Sequence, residues 1–297
     1  MSENSQSLRR KIASAGDLQS VVRSMKALAA SSIGQYENSV QALSEYYRTV
    51  ELGLGACLRT IGPAIPIEVK KGKTESGPIG AIVFGSDQGL VGQFNEVVAE
   101  YAIKNLSERT GQLNVWAVGE KVHALLVNAD LPLSGLLAVP NSVQAIIPLV
   151  GRIQIESESD RGDNPDARVY VFHNRPQAGG LYGPVIQRLL PLDESWQSRL
   201  SALPWATTMP PQIIGARGAT PLALVREYLF ISLFRACAES LASENASRLA
   251  AMERADRNID ELLGNLKSEF HRLRQSGIDE ELFDVISGFE SLSKENT

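Results

Sequence analysis

The sequence predicts an α/β protein in which the two chain ends form a pair of long helices and an α/β domain is inserted between them. Three observations carry this. An apolar stripe of helical period runs through the N-terminal end, a longer one runs through the C-terminal end, and short strand-like runs alternate with helical patterns in between. The expected division is residues 1–60 for the first helix, 76–212 for the inserted domain and 219–297 for the second helix.

The first stripe comprises Leu8, Ile12, Ala15, Leu18, Val22, Met25, Ala29, Ile33, Tyr36, Val40, Leu43, Tyr47, Val50 and Leu54, with steps of three or four residues. The mean step near 3.5 is the coiled-coil period, and no proline interrupts it before Pro63. At 1.5 Å per residue such a helix is roughly 70 Å long. The second stripe starts after Pro221, with Thr220 as the expected N-cap. It runs through Leu222, Val225, Leu229, Leu233, Ala236, Ser240, Met252, Ala255, Ile259, Leu262, Leu266, Phe270 and Leu273 to Leu282, Val285 and Phe289. Its length would be on the order of 100 Å, so it requires a helical partner or a sleeve. Pairing the two stripes buries both apolar seams at once.

Between them, strands are expected at Ile79–Phe84, Val115–Val118, Leu133–Val139, Arg168–Phe172 and Pro184–Leu190. Helices are expected at Asn95–Leu106, Glu120–Asn128 and Ser142–Ile155, giving a βαβαβ order and a largely parallel sheet. Gly62–Gly77 and Ser157–Asp166, rich in Gly, Pro and charge, read as linker and loop.

Composition narrows the function classes. With 29 Lys+Arg against 34 Asp+Glu the formal charge is −5, so the chain as a whole does not attract nucleic acid. Cys57 and Cys237 are too few for a disulfide framework or a CxxC metal site, which fits a reducing compartment. His123, His173 and His271 show no zinc-binding spacing, and there is no GxSxG elbow. No metal, cofactor or catalytic dyad is expected. The N-terminal residues lack the apolar region of a signal peptide, and no run of about 18 apolar residues occurs.

Two segments have two readings each. AIVFGSDQGLVGQFN ends a strand at Gly85 and passes Gly89 and Gly92 before a helix. It is either a phosphate cradle, although it matches neither GxGxxG nor GxxxxGK[ST], or a tight connection in which Ser86 or Asp87 bonds local amides. Arg9, Arg10, Lys11, Arg23 and Lys26 form either a solvated helix face or a surface for an acidic partner.

Taken together, the segments resemble the gamma subunit of rotary F-type ATP synthases. Leu8, Lys11, Ile12, Ser14, Met25, Lys26, Ala29, Ala30 and Ser31 match its first-helix pattern. Ser86, Asp87, Gly89, Leu90, Gly92, Phe94 and Asn95 match its S-D-R-G-L-C-G-G-F-N motif. Ser243, Glu244, Arg248, Ala251, Met252, Ala255 and Asn258, followed by Arg274, Gln275, Ile278 and Glu281, match its C-terminal blocks. Val91 stands where the motif has Cys, Phe270 and His271 where it has Tyr-Asn, and Asp279 where Thr is common; these departures point to a divergent branch such as the N-type synthases.

The resemblance implies a left-handed antiparallel coiled coil with a Rossmann-like foot domain. The shaft would stand inside a ring of three alpha and three beta subunits and be fixed by its foot, with epsilon, to the membrane c-ring. Ion flow would turn the shaft and drive ATP synthesis or hydrolysis in the beta subunits, with no reaction on this chain. Met25 and Lys26 would face the beta lever segment, and Arg274, Gln275 and Asp279 would lie at contacts with a beta loop. The apolar end, with Leu282, Phe283, Val285, Ile286 and Phe289, would sit in the top of the ring. The protein would be peripheral on the cytoplasmic face of the cell's inner membrane. The coupled ion, H⁺ or Na⁺, is selected by other subunits. Two other readings compete: a nucleotide-binding enzyme with helical arms, and a static coiled-coil adaptor.

Overall fold

The computed structural model describes residues 2–61, 77–161, 167–177, 182–192, 194–205, 207–209, 211–213 and 219–295, without the side chains of 2–3, 61, 159–161 and 287–295. Helix α1 spans Ser2–Ile61, and β1 (Ile79–Phe84), α2 (Phe94–Ser107), β2 (Leu113–Val118), α3 (Glu120–Asn128), β3 (Leu133–Leu137) and α4 (Val143–Arg161) follow. Then come β4 (Arg168–Pro176), β5 (Tyr182–Leu190), α5 (Glu194–Ser201) and α6 (Ala219–Glu295). The chain divides into two compact units, one of residues 1–28 and 249–297, the other of residues 29–248.

Along α1 the buried residues Leu8, Ala15, Val22, Ala29, Tyr36 and Val50 are separated by multiples of seven, so the seam follows a strict heptad. That register corrects one expectation. Leu18 is 55% exposed, and the heptad places Gln19 at the seam in its stead. On α6 the same correction applies to Leu262, 49% exposed, where the adjacent Leu263 turns inward, and to Leu222, which is exposed beside buried Pro221.

The first unit is an antiparallel helix pair. Arg9 lies over the Phe270 ring, Gln19 bonds Asp256 and Asp260, and Lys26 approaches Asp256, so rising numbers on α1 meet falling numbers on α6. Its apolar core is Ala15, Val22, Met252, Ile259 and Leu263, flanked by Ile12, Met25, Ala251 and Ala255. The alanines leave room for close approach of the two backbones.

The second unit holds a five-stranded sheet of order β3-β2-β1-β4-β5, parallel except for β4 with β5. Side chains alternate with period two. Ile79, Ala81, Val83, Tyr170 and Phe172 join Val98, Ala102 and Leu126 of α2 and α3, while Ile82, Phe84, Val169 and Val171 join Ile146 and Val150 of α4 and Leu233, Ala238 and Leu241 of α6. Both faces are thus covered, as a mostly parallel sheet requires. From Ile231 to Asn245 every α6 residue except Arg235 is buried, so this part of the helix has almost no solvent face.

Several expected boundaries move. Ala219 already belongs to α6, so Thr220 lies within its first turn and is not the N-cap. Ser157–Arg161 is helical as the end of α4; a polar run serves an exposed helical turn as well as a loop, and Arg152 pairs with Glu156 one turn apart at 3.8 Å. β3 ends at Leu137, whereas β4 runs on to Pro176 along its antiparallel partner. Helix α5 has no counterpart among the expected elements; its Leu200 is fully buried and its Trp196 packs edge-on against Tyr228 at 5.2 Å. Residues 62–76 of the expected linker and the Phe289 side chain lie outside the described residues.

Candidate functional site

The Ser86–Asn95 segment follows the C-terminal end of β1. There the strand order reverses, β2 lying on one side of β1 and β4 on the other, which is where open α/β sheets form their ligand crevice. In this chain the residues close that region on themselves. The Ser86 backbone N–H donates to Asn95 Oδ1 at 2.9 Å, Asn95 Nδ2 donates to Ser86 Oγ at 2.9 Å, and the Ser86 hydroxyl donates to the Gln88 carbonyl at 2.8 Å. Asp87 Oδ1 accepts from the Glu120 N–H at 3.1 Å, and Oδ2 accepts from the Val139 N–H at 3.0 Å. One carboxylate thus holds the first turn of α3 and the segment after β3.

The turn itself needs unusual backbone. Leu90 has φ of 63° and Gly92 of 56°, both in the left-handed region. Leu90 is exposed, whereas Phe94 is fully buried and packs edge-on against Tyr182 at 5.6 Å. Gly119 has φ of 114°, and a Cβ there would lie 2.8 Å from the Ser86 backbone.

Helix α6 seals the crevice. The Ser247 hydroxyl donates to the Val91 carbonyl, the Ser243 hydroxyl donates to the Asn174 carbonyl at 3.1 Å, and Asn174 Nδ2 donates to the Phe94 carbonyl at 2.8 Å. The segment is a tight connection, but its bonds differ from the expected ones: the Ser86 hydroxyl meets the Gln88 carbonyl and the Asn95 side chain, and neither Ser86 nor Asp87 caps a local amide through its side chain. Asp87 reaches amides distant in sequence, which local spacing does not reveal.

In the helix pair, Met25 and Lys26 are half-buried against α6. Arg23 Nε lies 3.1 Å from Asp256 Oδ1, and Lys26 Nζ lies 3.9 Å from its Oδ2. Two members of the basic group therefore find their acid on the same chain. Partial loss of hydration favours a protonated Asp256, but hydrogen bonds from Arg23 and Gln19 and the charges of Arg23 and Lys26 outweigh it and hold the carboxyl below its ordinary range. Arg274, Gln275 and Asp279 are exposed. Ile278, Leu282, Phe283, Val285 and Ile286 are between 45 and 69% exposed, an apolar concentration beyond the reach of the α1 seam.

A second polar cluster escapes sequence reasoning. Glu239, 5% exposed, accepts from Arg175 Nε at 2.7 Å and Arg235 Nε at 2.7 Å, and lies 2.9 Å from His173 Nε2. Burial alone would raise its carboxyl, but the bonds from His173, Arg175 and Arg235 win and hold it at about 2. Burial pushes His173 below its usual value; its Nδ1 has no partner among the described residues, so a second ring proton would be buried unpaired. The only sequence signal is the spacing of Arg235 and Glu239, one helical turn apart. Among the described residues no group of His, Cys, Asp and Glu is arranged to hold a metal, and no helix is long and apolar enough to cross a membrane.

Comparison with known proteins places this geometry. A family model described as ATP synthase matches residues 4–292. The ATP synthase gamma chain of Haemophilus influenzae is 26% identical over 287 residues, covering 95% of this chain and 96% of its own. That of Nitrosomonas eutropha is 25% identical over 299 residues, covering 96% and 98%. Among solved structures, a chain of the Euglena gracilis mitochondrial ATP synthase rotor in rotational state 1 superimposes with a TM-score of 0.59 at 17% identity, over 94% of this chain and 100% of that one. A chain of the OSCP/F1/c-ring assembly from the same organism gives a TM-score of 0.65 at 16% identity, over 100% and 97%. At these identities the likeness is one of fold.

Proposed function

Because the chain belongs to the ATP synthase family, we propose that it is the gamma subunit, the rotor of the central stalk. It turns inside a ring of alpha and beta subunits and couples ion flow through the c-ring to ATP synthesis or hydrolysis. It carries no catalytic reaction of its own. The observation that carries this reading is the extent of the family match, which runs through α1, the sheet and α6 nearly to the end of the helix. The relatives that it resembles over almost their full length are named gamma chains.

The physical features fit a rotor. An antiparallel helix pair resists bending and twist in a way a single helix cannot. The motif loop is bonded through Val91 to Ser247 on α6, so a torque applied to the sheet domain enters the helix through hydrogen bonds and packing. The exposed apolar residues from Ile278 to Ile286 call for a surrounding sleeve, which the alpha and beta subunits supply. Arg274, Gln275 and Asp279, exposed just before and within that segment, are assigned to the beta-subunit contact. Met25 and Lys26, half-buried on α1, meet the beta lever segment with whatever surface their packing leaves free. Epsilon and the c-ring bind the sheet domain. The protein is held at the cytoplasmic face of the inner membrane through these partners.

Affinity purification of the tagged chain from detergent-solubilised membranes tests the reading. Alpha, beta, epsilon and c subunits with ATPase activity in the same fraction are expected. Recovery of the chain alone with bound nucleotide would overturn it.

A further inference from the structure

The second unit contains an open cleft of about 410 Å³ between α1, the end of β4 and α6. Its volume is within the range of small-molecule sites, roughly 300–1,000 Å³. The rotor reading makes no use of it, and its chemistry stands independently of that reading. Val40, Leu43 and Ile231 supply apolar wall, and Glu239 lies at the base with Arg175 and Arg235.

The arrangement of the two arginines is specific. Each commits its Nε to a different oxygen of the same buried carboxylate, Arg175 to Oε2 and Arg235 to Oε1. Neither guanidinium makes another hydrogen bond among the described residues, and the two side chains are 43% and 46% exposed. Their terminal nitrogens therefore remain free to donate, and both residues line the cleft. Two guanidiniums against one carboxylate leave a surplus positive charge at the base. Glu37, exposed, is the other acid of the lining.

A guanidinium fork fixed at its Nε has lost most of its rotamer freedom before any ligand arrives, so less is lost on binding. Carboxylates and phosphates, which offer two acceptor oxygens side by side, are the ligands that such forks match. A purely structural cluster would satisfy Glu239 equally well, but it would not require two half-exposed cations in the lining of a cleft of this volume.

We propose that the cleft binds a small oxyanion, a phosphate ester or a dicarboxylate, gripped by the terminal nitrogens of Arg175 and Arg235. Phosphate and carboxylate share the required chemistry, and the test separates them.

Isothermal titration of the full-length chain with pyrophosphate and, separately, with succinate at matched ionic strength gives the answer. Saturable one-site binding of at least one probe is expected, and the probe that saturates identifies the class. Arg235→Gln should weaken binding about tenfold, the weight of one charge-assisted contact. That variant also removes a partner of Glu239, so two others leave the buried cluster intact. Glu37→Gln should tighten binding about threefold and Gln41→Glu should weaken it about threefold, through one charge at the rim. No saturable binding of either probe up to about 10 mM, far weaker than a built site provides, would overturn the proposal. So would affinities indifferent to all three substitutions.

Discussion

The Gln19 side-chain amide donates to Asp256 Oδ1 at 3.2 Å across the helix pair, and the same nitrogen also donates to Asp260. A seam position that the heptad would give to an apolar residue is thus polar, and Lys26, one heptad later, repeats the pattern with Asp256 as its counter-charge. Polar seam residues cost stability but discriminate against shifted registers, because a slip leaves them facing apolar neighbours.

Gln19→Leu should therefore raise the thermal midpoint of the full chain, since Leu buries apolar surface where the amide does not. Asp256→Ala should lower it, because Arg23, Lys26 and Gln19 lose their shared acceptor, and the loss should shrink with added salt. Thermal melts at low and high sodium chloride check both directions. A Gln19→Leu chain that melts below wild type would show that the amide contributes net stability.

The Asp87 carboxylate ties two distant amides, so Asp87→Ala should cost about 1–3 kcal/mol, the usual worth of hydrogen bonds to a charged group, and toward the lower end because water can reach the Glu120 amide. Gly119→Ala should cost at least as much, because a positive φ and a contact 2.8 Å from the Ser86 backbone act together. Urea unfolding with an unchanged slope is the measurement. Values within about 0.5 kcal/mol of wild type, the range of ordinary surface changes, would contradict the described geometry.

Acid should destabilise the sheet domain in two stages. His173 has its folded-state value lowered from 6.5, and Glu239 has its value lowered from 4.5 to about 2. In both cases the unfolded chain binds the proton more readily. Stability is thus full above about pH 6.5 and falls as His173 is protonated only on unfolding, then falls again between 4.5 and about 2 through Glu239. His173→Gln keeps a donor toward Glu239 and should flatten the first stage. Melting temperatures between about pH 7.5 and 5 that are independent of pH in wild type would refute this assignment.

Arg274→Ala combined with Gln275→Ala should reduce turnover of the assembled complex about tenfold if each side chain makes a charge-assisted or hydrogen-bonded contact to a beta subunit. Glu108→Gln, at an exposed position on the sheet domain, should leave turnover unchanged. ATP hydrolysis by purified complexes of equal subunit content is the comparison. Equal activities in all three would remove Arg274 and Gln275 from the coupling contact.

How legible each feature is in the sequence follows from its range. The stripe through Leu8, Ala15, Val22 and Ala29 is local and periodic, so α1 can be read to within a residue or two. Its phase cannot, and the choice between Leu18 and Gln19 shows why: hydrophobicity favours the leucine, and only the partner helix reveals that the glutamine has two carboxylates waiting. The bounds of β1 and α3 match expectation because Gly85 and Gly119 punctuate them. The motif loop is legible as a turn, whereas the bond between Val91 and Ser247 joins residues 156 positions apart, and no local pattern encodes it. The Glu239 cluster draws one residue pair from β4 and one from α6, so it exists only once the sheet and the helix meet. Trp196 and Leu200 do carry a helical spacing, but the 8 residues of α5 are too few for periodicity to separate a helix from a turn.

The stretch of α6 from Ile231 to Asn245, buried except at Arg235, is made after every strand of the sheet it covers. On the ribosome, the growing chain therefore carries β1, β4 and α4 with one apolar side bare until the final helix emerges. The interval is the period of greatest exposure to aggregation and to chaperones. Slowing translation within this stretch should lengthen that interval, and speeding it should shorten it, without any change to the finished protein.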